Sequence, residues 1–77
     1  MKTLNYKIFL KKEHDGGFTV FVHSLPGCIT YGNTLDEAIE KAKEAIELYI
    51  ESLKAYGEEI PTEENLLEYN LSIDTNA

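Results

Sequence analysis

Arginine is absent from this 77-residue chain, whose seven basic residues are all lysines. The planar fork that reads phosphate and guanine edges bidentately has no residue to carry it, so direct nucleic-acid binding by this chain is not expected. Cysteine occurs once, at Cys28. A single thiol excludes an intramolecular disulfide framework and fits a reducing compartment, the cytoplasm. No stretch approaches the roughly 18 consecutive apolar residues of a membrane span, and Lys7, Lys11 and Lys12 interrupt the N-terminal apolar positions that would otherwise mimic a signal segment. Proline and glycine are sparse, two and five residues, and with 43% hydrophobic and 27% charged residues the composition is neither disordered nor collagen-like.

What is present is acid. Fourteen Asp and Glu against seven lysines leave a net charge of −7. Such a field suits a basic partner, because complementary charge raises encounter rate and suppresses wrong partners. The length predicts one domain, residues 1–77, since a chain this short buries only roughly 60–65% of its unfolded surface and cannot support two cores.

Leu4, Tyr6, Ile8 and Leu10 alternate with Asn5, Lys7, Phe9 and Lys11, the period-2 pattern of a strand with one buried face. His14-Asp15-Gly16-Gly17 then turns the chain into Phe18-Thr19-Val20-Phe21-Val22, predicting a hairpin whose second strand is apolar on both faces and therefore central or covered. Pro26-Gly27 and Gly32-Asn33 are turn dipeptides flanking a short third strand, Cys28 to Tyr31. Thr34 followed by Glu37 is a capping box ahead of Ala38. From Leu35 to Tyr56 the apolar residues recur at spacings of three and four, which predicts one amphipathic helix burying Ala38, Ala42, Ile46, Tyr49 and Leu53. Gly57 fits the position after the last helical turn, and Pro61 prevents continuation. Tyr69, Leu71 and Ile73, alternating with Asn70, Ser72 and Asp74, predict a fourth strand, either parallel through a right-handed crossover or an antiparallel edge. The expected fold is α+β: β-β-β-α-β, a single small sheet with the long helix packed on one face.

The run Leu25-Pro26-Gly27-Cys28-Ile29-Thr30-Tyr31-Gly32-Asn33-Thr34-Leu35-Asp36-Glu37-Ala38, with Gly16-Gly17-Phe18-Thr19-Val20 upstream and Gly57-Glu58-Glu59-Ile60-Pro61 downstream, resembles the HicB-like antitoxin family over roughly residues 4 to 62. The resemblance implies a partial ribonuclease H-like fold and a binding role, in which the chain silences a small basic HicA-like toxin that cleaves mRNA. Many members of that family carry a C-terminal DNA-binding domain that represses their own operon. This sequence ends at Ala77 without one, so repression by this chain alone is not expected.

Catalysis is weighed against this reading. Cys28 with His14 or His23 is the minimum for a thiolate nucleophile and base, yet one sheet and one helix leave little concave volume, and Cys28 reads as a small core residue. Neither the histidine and cysteine spacing nor the scattered acids match a zinc or two-metal site, and Gly16, Gly17 and Gly27 lack the spacing and lysine of a phosphate loop. No enzyme activity, metal or cofactor is expected. Leu48 lies about 120° from the centre of the helical stripe, and Phe21 and Tyr31 fall on the outer face of the sheet. These three mark surface beyond what one helix covers and predict a homo-oligomer or partner contact. The alternative is a homo-oligomeric interaction or small-ligand module outside any toxin pair.

Overall fold

The computed structural model describes residues 3–76. Three antiparallel strands, β1 (Ile8–Lys12), β2 (Phe18–Val22) and β3 (Ile29–Gly32), form one sheet in the order β1-β2-β3, followed by one helix, α1 (Leu35–Ala55). The apolar, two-faced β2 is the central strand, as its sequence predicts. Register puts Leu10, Val20 and Thr30 in one cross-strand row and Phe9, Phe21 and Ile29 in the next, on opposite faces.

Each connection follows from its residues. Between β1 and β2, His14, Asp15 and Gly16 form a three-residue loop in which Glu13 N–H donates to the Gly17 carbonyl at 2.8 Å and Gly16 adopts φ 94°, a left-handed conformation that suits glycine. The β2–β3 connection is two successive turns, closed by Leu25 N–H to the Val22 carbonyl at 3.1 Å and by Cys28 N–H to the Leu25 carbonyl at 2.9 Å. Pro26 supplies the fixed φ and Gly27 the positive one, at 81°. Their geometry drops Leu25 inward, where it is fully buried.

Thr34 caps α1: its hydroxyl accepts from the Glu37 N–H at 3.1 Å. Glu37 reaches back to the N–H of Asn33, one residue before the cap, at 3.0 Å. The helix closes on Gly57 at φ 68°, with Gly57 N–H bonded to the Lys54 carbonyl and Glu58 N–H to that of Leu53. That pair of bonds satisfies carbonyls the last turn leaves open.

The helix lies over β3 and β2. Val20, Ala38 and Ala42 form one buried cluster, flanked by Ile8, Leu10 and Phe18. Val22, Leu25 and Cys28 form a second, against Tyr6, Ala45, Ile46 and Tyr49. Of the expected helix core, Ala38 and Ala42 are buried while Ile46, Tyr49 and Leu53 are half-buried. Gly32, read from sequence as half of a turn, is instead the last residue of β3. A Cβ there would lie 2.3 Å from the Ala38 nitrogen, so its missing side chain is what admits the first turn of the helix.

The expected fourth strand does not form. Residues 66–76 carry no helix or strand, and Tyr69, Leu71 and Ile73 are 85%, 74% and 70% exposed. Asp74, read as lying in that strand, is likewise outside any strand. The first strand is also shorter than its alternation suggests, because β2 ends at Val22 and leaves residues 3–7 without a main-chain partner.

Two substitutions test this core. Leu25→Ala should lower unfolding free energy by about 2–5 kcal/mol, read as a shifted urea midpoint at constant slope. Gly32→Ala should destabilise by about 1–3 kcal/mol through overpacking against Ala38, although alanine for glycine in a strand is ordinarily favourable. An unchanged midpoint for Gly32→Ala would show that the helix does not approach β3 so closely.

Candidate interaction surface

A sheet with one helix has a second face. The row Phe9–Phe21–Ile29 crosses all three strands on the side away from α1, with Phe9 51% and Ile29 59% exposed. Tyr31, opposite Thr19, extends this face toward the hairpin tip. The sequence pointed to Phe21 and Tyr31 but assigned no role to Phe9 and Ile29. Their signal was parity, since Phe9 alternates with the inward Ile8 and Leu10 and so must face out.

Tyr31 is held in place. Its hydroxyl donates to Asp15 Oδ2 at 2.8 Å, the other Asp15 oxygen accepts from Gly17 N–H at 2.9 Å, and Thr19 donates to Glu13 at 2.6 Å. Gly17 lies under the ring; a Cβ there would come within 1.9 Å of the Tyr31 hydroxyl oxygen. The Gly17 N–H and then the Tyr31 hydroxyl hold the Asp15 carboxyl below its ordinary range. Donation to Asp15, then desolvation and the nearby acids, push the Tyr31 phenol up. The sign follows for each: the Asp15 contribution is present above the ordinary carboxylate pKa and lost as pH falls through the lowered one, while that of Tyr31 is present below the ordinary phenol pKa and lost as pH rises through the raised one. The hairpin tip is therefore fastened to β3 across the neutral range.

At the other end of the sheet, Glu63 closes the gap between β1 and the turn after β2. Its carboxylate accepts from Lys7 N–H at 3.0 and 3.2 Å and from the Ser24 hydroxyl at 2.6 Å, and only 7% of its side chain is exposed. The Tyr6 hydroxyl donates to the Pro61 carbonyl at 2.5 Å, with its pKa raised by burial and then by Glu63. In the sequence Glu63 is one of the scattered acids that match no site. Nothing local marks it, because Lys7 is 56 residues away. Beyond it, Leu66 and Leu67 line a cleft with Phe9 and His23 on the open face.

Leu48 is 66% exposed on the outer side of α1, so it and the Phe21–Tyr31 pair occupy opposite faces of the two-layer molecule. One flat partner cannot cover both. Beside Leu48 run Glu40, Glu44, Glu47 and Glu51, all exposed and recurring at helical spacing.

Cys28 is buried among Val22, Leu25 and Ile46, and burial pushes its thiol pKa up, away from the thiolate a nucleophile requires. His14 is exposed in the hairpin loop, and His23 lies on the open face, across the sheet from Cys28. Among the described residues, no three His, Cys, Asp or Glu side chains gather as a metal site, and no helix is long and apolar enough to cross a membrane.

Comparison with known proteins converges on one group. A UPF0150 protein of Synechocystis sp. is 50% identical over 60 residues, covering 78% of this chain and 76% of that one. Another, from Thermoplasma acidophilum, is 48% identical over 58 residues, covering 75% and 84%. Among solved structures, the N-terminal domain of the Burkholderia pseudomallei antitoxin HicB superposes with a TM-score of 0.67 at 29% identity, over 88% of this chain and 72% of that one. The model of the HicB-like antitoxin of bacterial toxin-antitoxin systems matches residues 6–76. With that match running through the sheet, the helix and the extended tail, the chain belongs to the HicB-like antitoxin family.

Proposed function

We propose that this chain neutralises a small basic toxin of the HicA-like, mRNA-cleaving type by covering its active site, as a cytoplasmic binding protein without catalysis of its own. Family membership supports an antitoxin role, and the charge distribution supports the partner class. The observation that carries the reading is the outer face of α1. Glu40, Glu44, Glu47 and Glu51 line about 16 Å of helix, with Leu48 as an apolar anchor between Glu44 and Glu51. A cationic surface that must bind RNA phosphates fits such a face, and seating it there denies the RNA its site. Phe21 and Tyr31, on the far side, are left for a different contact. The buried neutral Cys28 and the separated histidines supply no nucleophile and base, which favours inhibition by occlusion.

The test is co-expression with the small basic protein encoded beside this chain, followed by binding kinetics. Growth and transcript integrity should be restored, and association should slow as salt rises through about 0.15 M. Reversing Glu44 and Glu47 to lysine should lower the association rate about tenfold, and Leu48→Ala should raise the dissociation rate at least fivefold. No rescue together with no co-purification overturns the antitoxin role; rescue unaffected by these variants removes the α1 face from it.

A further inference from the structure

The molecule carries more surface than a folded chain of its size. Its accessible area is 6559 Å² at 8.7 kDa, against about 4,700 Å² expected of a compact monomer. Its radius of gyration is 15.1 Å, where about 11.5 Å is expected. The C-terminal arm contributes to that excess: its Tyr69, Leu71 and Ile73 stand out in water in the alternating pattern of a half-buried strand. The surplus exceeds the roughly 800 Å² that each partner contributes to a standard interface.

The receptor for such an arm lies in the same molecule. Glu13 N–H pairs with the Gly17 carbonyl, so odd-numbered residues of β1 exchange bonds with β2, and Ile8, Leu10 and Lys12 turn their main-chain groups to the free edge. Because α1 lies over β2 and β3, a groove of about 380 Å³ remains beside that edge, walled by Tyr6, Ile8, Ile39, Ala42, Ile46 and Ile50. We infer that the arm of a second copy adds to β1 as a fourth strand and seats Tyr69, Leu71 and Ile73 in this groove, the two chains exchanging arms about a twofold axis.

Three observations select a second copy. A chain's own arm departs on the wrong side: Glu63 is bonded to Lys7 N–H on the β2 side of β1, and Leu66 and Leu67 lie on the open face with Phe9 and His23, across the sheet from the groove. Charge agrees locally. The segment at β1 carries Lys7, Lys11 and Lys12, while Lys43 and Glu47 offset one another at the groove, and the arm carries Glu68 and Asp74. The match is also reciprocal, since each copy has one arm and one open edge, as an isologous dimer requires.

Sedimentation equilibrium of the full chain should give twice 8.7 kDa at tens of micromolar, and Leu71→Asp with Ile73→Asp should halve that mass while leaving the helical circular dichroism intact. A nitroxide on Ser72→Cys in a Cys28→Ala background, on unlabelled chain mixed with isotope-labelled chain, should broaden the amides of Ile8, Leu10 and Ile46. A monomeric full chain, a dimer unchanged by the double substitution, or broadening confined to Phe21 and Ile29 would overturn the inference.

Discussion

The close approach of α1 to β3 at Gly32 is the contact on which the rest of the structure depends. With no Cβ at Gly32, the backbone of Ala38 takes that space, and the small side chains of Ala38 and Ala42 let the helix axis settle low over β2 and β3. A helix seated there by its first turn meets Ile8 and Leu10 of β1 but leaves the outer edge of that strand open. The half-exposure of Ile39 and the apolar groove beside Ile8 follow from that placement. So does the division of the core into two clusters, one under the alanines and one around Leu25, where the tyrosine hydroxyl of Tyr49 reaches the Pro26 carbonyl at 2.8 Å.

A two-layer domain this thin separates its surfaces. The outer face of α1 is acidic with one exposed leucine, the open face of the sheet is apolar, and the β1 edge is the basic side of an otherwise acidic molecule. Each face has a different chemistry and fits a different neighbour. The polar clusters at the ends, Asp15 with Tyr31 and Glu63 with Lys7 and Ser24, tie loop and tail segments to the two ends of the sheet. Asp15 and Tyr31 are each held in the protonation state that makes their bond, so that end of the frame is insensitive to pH near neutrality.

The local elements were legible in the chain itself. Thr34 and Glu37, Gly16, Pro26-Gly27 and Gly57 act through bonds within a few residues, and the apolar spacings of three and four in the helix and of two in the strands reflect which side of each element is buried. Leu48 could be placed outside the helical stripe by counting alone. The family could be recognised for the same reason, because its motifs are these short-range signals.

The long-range decisions were not written locally. Gly32 reads as a turn until a helix is seen to press on it, Glu63 reads as a solvated tail acid until the start of β1 supplies its donors, and Phe9 reads as an interruption until Phe21 and Ile29 line up beside it. The fourth strand shows the limit most clearly. Tyr69, Leu71 and Ile73 do have the pattern of a strand, but a strand exists only when another supplies the opposite half of its hydrogen bonds, and where the chain leaves Glu63 decides whether its own sheet can do so. Sequence by itself determined the elements and their buried sides, through bonds and periodicities a few residues long. Only tertiary structure decided which elements meet and which surfaces remain unsatisfied, because those outcomes depend on contacts between residues as far apart as Lys7 and Glu63.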